Sequence, residues 1–227
     1  MRQLLRPAGI AALLIVGALT LQGCAIALPQ IAGPAESSGS TEGGPTVDDE
    51  PVDDETAADL PFDGEFDGAT RTLQWTDPFM TDADYTVDTA DDGNGSWSYV
   101  DNRTGCVAAF YQGTVTGLEA SEGDSALTDE MLALVLTDDS GEQATADDVA
   151  GWAHDDVLPL STAGVVDTRT VTSAGADGTT WLDTARMIGS VGGGIYLGVT
   201  CPSGQDATVQ YGTLLSDGLA AAVVPIP

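Results

Sequence analysis

The feature that most constrains the fold is a series of short alternating segments between residues 70 and 201, separated by turns rich in Asp and Gly. Runs of β-branched, aromatic and small apolar residues bounded by such turns are typical of β-strands. The stretch Asp91-Asp92-Gly93-Asn94-Gly95 is a strong turn signal of this kind. We predict strands at residues 70–75, 85–87, 96–101, 106–115, 165–173, 179–188 and 195–201.

Two longer segments and one short segment predict helices. Residues 125–137 carry Leu127, Met131, Leu134 and Val135 on one stripe of a 3.6-residue period. A shorter helix is expected at residues 146–154, capped by Thr145. A last helix is expected to begin near residues 203–206, where Ser203 and Asp206 resemble a capping box, and to continue to Val224, where Pro225 stops it.

This order of elements predicts a single α+β domain. We expect an antiparallel β-sheet of about six strands with two or three helices packed on one or both faces. The expected domain covers residues 61–227, and its hydrophobic content is sufficient for a core. In element order and size, the domain resembles the PsbP/Mog1-like sandwiches of some actinobacterial lipoproteins, and fold likeness alone implies no function.

Two cysteines within this domain are expected to form a disulfide. Cys106 and Cys201 are an even pair, and each alternates onto an apolar strand face that should point into the core. One bridge closing a loop of about 95 residues contributes roughly 4–5 kcal/mol in the chain-entropy model. Since no Cys-x-x-Cys motif is present, redox activity is the minor alternative.

The first residues of the chain have the layout of a bacterial secretory signal. Arg2 and Arg6 form a basic start, an uncharged, mostly apolar run follows at residues 7–21, and Gly23 precedes Cys24. The apolar run is shorter than the roughly 20 residues that a membrane-spanning helix needs. We therefore predict a signal peptide at residues 1–23 that precedes a lipidated cysteine; an ordinary cleaved signal and, less favoured, an uncleaved span are the alternatives.

The end of this signal resembles the lipobox of bacterial lipoproteins. Leu21, Gly23 and Cys24 match the pattern, whereas Gln22 stands where a small residue is usual. The resemblance implies cleavage before Cys24, a diacylglycerol on its thiol and acylation, such as palmitate, of its amine. Two or more acyl chains anchor a protein stably. The implied location is the extracytoplasmic face of the cell membrane.

Residues 24–60 are expected to be a lipidated, disordered, acidic tether. The segment is rich in Pro, Gly, Ser, Thr, Asp and Glu and has few large apolar residues. Such a coil would hold the domain away from the lipid surface.

The charge limits the partners. The formal net charge is −30, and removal of a signal containing Arg2 and Arg6 would lower it to −32. Such a chain repels nucleic acid and anionic lipid headgroups, so cations and basic proteins are better partners. Solubility outside the cell is the simpler explanation of the acidity.

No arrangement of residues predicts catalysis, a cofactor or a metal. His154 is the only imidazole and no Gly-x-Ser-x-Gly occurs, so a serine hydrolase is not indicated. Gly192-Gly193-Gly194 matches no phosphate-binding loop, and an EF-hand placed around Gly93 lacks ligands at Ala90 and Tyr99. Paired carboxylates are frequent at Asp82/Asp84, Asp91/Asp92, Asp147/Asp148 and Asp155/Asp156.

The sequence therefore predicts a lipid-anchored, non-catalytic extracytoplasmic module that binds an envelope protein or a small ligand, and no nucleic acid. Two alternatives remain: a structural envelope lipoprotein, and an envelope hydrolase that uses carboxylates.

Overall fold

The computed structural model of the chain describes residues 59–91, 93–118, 123–137 and 141–226. The predicted signal peptide, Cys24 and the predicted tether up to residue 58 lie outside the described residues. Within these ranges, no helix is both long enough and apolar enough to cross a membrane.

The described residues form nine strands, three α-helices and one 3-10 helix at Phe79–Thr81. In chain order, the strands and α-helices are β1 (Arg71–Trp75), β2 (Tyr85–Thr89), β3 (Ser96–Asp101), β4 (Val107–Thr114), α1 (Asp124–Ala133), α2 (Ala146–Trp152), β5 (His154–Pro159), β6 (Val165–Ala174), β7 (Thr180–Ile188), β8 (Gly193–Cys201), α3 (Ala207–Ser216) and β9 (Ala221–Pro225).

Seven strands form one antiparallel sheet in the order β2-β3-β4-β8-β7-β6-β5. Strands β1 and β9 form a separate antiparallel pair. The predicted α+β class, with helices packed on an antiparallel sheet in a single domain, is confirmed. The main sheet has seven strands rather than about six.

The sheet carries a core on each face. On one face, β1, β9, the 3-10 helix and α3 cover a cluster that includes Trp75, Phe79, Leu197 and Leu214. On the other face, α1 and α2 cover a smaller cluster that includes Leu132, Val149, Ala185 and Met187. Alternation along the strands therefore separates two layers around one sheet.

The predicted disulfide joins Cys106 to Cys201 in the first of these cores. Both cysteines are almost fully buried. They lie at the ends of paired strands, since Val107 of β4 is opposite Thr200 of β8. The bridge fixes the centre of the sheet across 95 residues of chain.

The C-terminal segment differs from its prediction. Helix α3 begins after its N-cap Asp206, whose carboxylate accepts N–H bonds from Thr208 and Val209, and it ends at Ser216. Gly218 then adopts φ +102°, a conformation that favours glycine, and the chain turns into β9. The predicted helix up to Val224 was wrong, because Val224 pairs with Thr72 of β1.

The apolar stripe predicted for the first helix was only half correct. Leu127 and Met131 are buried, but Leu134 and Val135 are about half exposed. Helix α1 ends at Ala133, so these two residues lie beyond its last turn.

The second helix was correctly predicted at its start. Thr145 accepts a hydrogen bond from the Asp148 amide, and the Asp148 carboxylate accepts one from Thr145, which completes a capping box. The helix ends at Trp152, which is 45% exposed. His154, expected at the helix end, instead begins the edge strand β5.

The chain enters the fold by adding to β6. The Leu60 amide donates to the Val165 carbonyl, and the Asp167 amide donates to the Leu60 carbonyl. Strand β6 pairs with β7 only from Arg169 onward. Leu60 pairs with the earlier part of β6, where β7 does not.

Arg186 holds the segment that follows Leu60 against the sheet. Its guanidinium donates to the carbonyls of Pro61 and Asp167 and to the Asp124 carboxylate, at 3.0 to 3.3 Å. It also lies 4.4 Å from the centre of the Phe62 ring. Only 1% of Arg186 is exposed, so these contacts are shielded from water.

Candidate binding face

Strand β7 places one carboxylate among apolar neighbours. Trp181, Asp183, Ala185 and Met187 alternate onto the same face of the sheet. Ala185 and Met187 belong to the cluster beneath α1 and α2, whereas Asp183 is only partly buried. Asp183 therefore lies on this face at the border of the helix-covered part.

A row of small side chains extends from Asp183 across the sheet. Gly198 of β8 is directly opposite Asp183, Ala109 of β4 is opposite Gly198, and Ser98 of β3 is opposite Ala109. At the far end, the Ser98 hydroxyl donates to the carboxylate of Asp88 at 3.0 Å. The row is thus bounded by a carboxylate at each end.

Larger side chains flank this row on the neighbouring strand positions. We call the row and its flanks the open face; it comprises Asp88, Ser98, Val107, Ala109, Tyr111, Trp181, Asp183, Tyr196, Gly198 and Thr200.

The helices leave this part of the sheet uncovered. The main contacts of α1 are with α2, β6 and β7, and those of α3 are with β7 and β8 on the opposite face. Thr200 is exposed, and Val107 and Ala109 are half-buried. Ser98 and Gly198 are buried, and the Tyr196 phenol lies over Gly198, so the accessible surface of this face is that of Val107, Ala109 and Thr200.

Tyr196 orients the Asp183 carboxylate. Its hydroxyl donates a 2.6 Å hydrogen bond to Oδ1 of Asp183. The phenol lies directly over Gly198, where a Cβ would collide with the Tyr196 hydroxyl. Glycine at position 198 is therefore what allows this tyrosine to reach along its own strand to Asp183.

Burial dominates the protonation of this pair. It raises the pKa of Asp183, and the hydrogen bond from Tyr196 opposes that rise. Burial, followed by the charge and hydrogen bond of Asp183, raises the pKa of Tyr196 far above its usual range, so the phenol keeps its proton. When Asp183 is ionised, its carboxylate is therefore the single charge of the pair.

Asp183 has no cationic partner among the described residues. Arg103, Arg169 and Arg186 each pair with other carboxylates. Since the whole chain has no Lys, few other groups could neutralise it.

The Arg103 network is structural. Its guanidinium donates to the carboxylates of Asp101 and Asp217, both at 2.8 Å, and to the Tyr85 hydroxyl. Burial would raise the pKa of Asp101, but bonds from Arg103 and Gln210 outweigh it and lower that pKa. The network thus ties the turn after β3 to α3.

Arg169 also forms structural ion pairs, which lie beneath α1. It donates 2.8 Å hydrogen bonds to Asp129, which is buried, and to Asp155 of the edge strand. The Asp129 carboxylate thus forms a contact between helix and sheet.

The acid pairs noted in the sequence mainly organise turns and caps. Asp82 accepts the amide of Asp84, and Asp91 accepts the amides of Gly93 and Gly95. Asp148 belongs to the capping box of α2. In the part of the chain that the structure describes, no group of three or more His, Cys, Asp or Glu residues could hold a metal ion.

Two surface clefts lie elsewhere. The larger, about 630 Å³, is lined by Gly64, Glu65, Phe66, Asp67, Asp124 and Ser190. Two of its three acids already have partners: Asp67 accepts from Thr70, and Asp124 accepts from Arg186 and Gly189. A second cleft of about 330 Å³ lies between β1 and the Asp91–Gly95 turn, near Gln74, Asn94 and Gln112. Neither cleft contains a buried charge without a cation, so we favour the open face as the candidate site.

Comparison with known proteins adds no relative. No family model matches the chain, and no match was found among curated proteins or solved structures.

The sequence reasoning did not single out the open face. A usable signal was present, since Asp183 is the one charged residue among the four that alternate on this face of β7, between Trp181 and Ala185. Its partner Tyr196 could not be identified from the sequence, because the contact depends on the register of β7 against β8.

Proposed function

We propose that this protein is a lipid-anchored, non-catalytic binding module on the extracytoplasmic face of the cell membrane, and that the open face is its binding surface. The anchor is the lipidated Cys24, and residues 24–58 serve as the tether. The bound partner is an envelope protein or a small ligand.

The observation that carries the proposed binding surface is Asp183, a partly buried carboxylate that has no cationic partner among the described residues and lies where the helices leave the sheet uncovered. A carboxylate that is desolvated yet lacks a cation is costly to the folded protein. Such costs concentrate at functional sites, where a ligand supplies the missing interaction.

Other features support the extracytoplasmic location. A structural disulfide is typical of oxidising compartments outside the cytoplasm. The strongly acidic composition argues against binding nucleic acid or an anionic lipid surface.

The anchor is tested by metabolic labelling with an alkyne fatty acid, followed by membrane fractionation. We expect label on the wild-type protein and none on Cys24→Ser, which would also leave the membrane fraction. Cys24→Ser that remained with the membrane would refute the lipid anchor.

The binding surface is tested by photo-crosslinking in cells. A photoreactive residue at exposed Thr200 lies on the open face, and the same residue at exposed Thr208 on α3 is the matched control. We expect a discrete crosslinked partner from position 200 only. Equal or absent crosslinking from both positions would argue against the open face and favour a spacing role for the module.

A further inference from the structure

We infer that the occupant of the open face is a basic polypeptide segment, with a Lys or Arg side chain paired to Asp183. This inference rests on the proposed function and names the chemistry of the partner.

The charge of the open face favours a basic segment. The Asp183 carboxylate receives one hydrogen bond from the described residues, from Tyr196, and this leaves its second oxygen available. An ammonium or guanidinium can both neutralise the charge and donate to that oxygen. The net charge of −30 attracts a cationic segment and repels an anionic one at long range.

The shape of the open face also allows such a segment. Val107, Ala109 and Thr200 keep exposed surface, so an extended segment can lie across the sheet over these side chains. Adjacent strands are about 4.8 Å apart, so Ser98 and Asp183, three strands apart, are separated by roughly 14 Å. That is about the length of four residues of extended chain.

The positions of the two acids also favour a basic segment. Asp183 terminates the row at one end, and Asp88, bonded to Ser98, terminates it at the other. Two basic residues about four positions apart span the row from Asp183 to Ser98, and the length of a Lys or Arg side chain covers the one further strand spacing to Asp88. Asp88 is exposed and therefore contributes less than Asp183.

The test uses the full-length lipidated protein in uncharged detergent and a synthetic peptide as the probe. The peptide is an extended Gly/Ser chain with two Lys residues four positions apart and a photoreactive leucine between them. A second peptide carries norleucine in place of both Lys residues, which preserves length and removes charge. Capture is measured at physiological ionic strength, and mass spectrometry locates the crosslinks.

We expect the Lys peptide to crosslink to the open face, at Val107, Ala109 or Thr200, and the norleucine peptide to be captured about tenfold less. Asp183→Asn should reduce capture about tenfold, and Asp88→Asn by a smaller factor. Asp63→Asn is the matched control, because Asp63 is exposed and makes no hydrogen bond to the described residues. It should leave capture unchanged.

Equal capture of both peptides, or equal losses in Asp183→Asn and Asp63→Asn, would overturn the inference. A partner crosslinked from position 200 in cells, together with either result, would preserve the proposed function while excluding a basic occupant. Circular dichroism of each variant shows whether a loss of capture reflects a loss of fold.

Discussion

The Tyr196 hydroxyl donates a 2.6 Å hydrogen bond to the Asp183 carboxylate, across two neighbouring strands of the central sheet. Burial disfavours the charged form of Asp183, and the hydrogen bond from Tyr196 opposes this effect. The chemistry of the open face therefore depends on register, because a shift of one residue would place the two side chains on opposite faces.

Tyr196→Phe should raise the pKa of Asp183 further, since it removes a hydrogen bond that favours the charged form. The free energy of unfolding should fall by about 1 kcal/mol. Carbon-detected NMR titration of the Asp183 carboxyl measures the first effect, and urea denaturation measures the second. Tyr111→Phe is the control, because the Tyr111 hydroxyl donates to the Thr114 carbonyl and leaves Asp183 untouched. An unchanged Asp183 titration in Tyr196→Phe would contradict the assigned contact.

Asp183→Asn should make the unliganded protein more stable at neutral pH. The pKa of Asp183 is higher in the folded state than the unfolded value of about 3.9, so the folded state binds more protons between the two values. The contribution of Asp183 to the free energy of unfolding is thus fully present below the unfolded pKa and is lost as the pH rises through the folded pKa. The stability of Asp183→Asn relative to the wild type should therefore increase as the pH rises between the two pKa values, and the difference should vanish near pH 3. Thermal unfolding across this range, with Asp63→Asn as the control, measures it; an advantage independent of pH would point to a different cause.

Replacing both cysteines of the disulfide with alanine should destabilise the domain by about 4–5 kcal/mol. The loop they close spans 95 residues, and the chain-entropy cost of leaving it open grows with its length. Urea denaturation of the variant and of the oxidised wild type, with identical slopes, gives the difference. Because both sulfur atoms of the disulfide are buried, a reductant should reduce the wild type only under conditions that unfold it. A loss below about 1 kcal/mol would show that the sheet centre holds without the bridge.

Arg186→Met should cost about 3 kcal/mol or more, because it leaves the Asp124 carboxylate and the carbonyls of Pro61 and Asp167 without this donor. Arg186→Lys keeps the charge but not the planar fork, so it should recover only part of the loss. Hydrogen exchange distinguishes a local effect: the Asp167 amide, bonded to Leu60, should lose more protection than the central Leu197 amide. Equal losses of protection at both amides would argue against a local role of Arg186 in attaching the segment around Leu60 to β6.

Local sequence patterns predicted most strands because those strands alternate and are bounded by strong turn residues. They placed the two cysteines on inward faces, and the disulfide confirms this. The start of α2 was predictable for the same reason, since the Thr145 capping box involves residues only three apart.

The failures required information from distant residues. Val224 appeared helical by its neighbours, but pairing with Thr72 across about 150 residues makes it a strand. The edge strand β5 was missed because His154 and its two following acids resemble a solvated helix end. The open face was missed because its three small residues and Asp183 come from four strands that only the sheet brings together.

The attachment of Leu60 to β6 determines where the domain can be cut. A shortened protein that begins at Asp63 would lack both the residue that pairs with Val165 and Asp167 and the carbonyl that Arg186 binds. The freed edge of β6 would then present unpaired amides and carbonyls to any other chain. Such a truncation, although it removes only residues before β1, should self-associate where a version that retains Asp59 stays monodisperse.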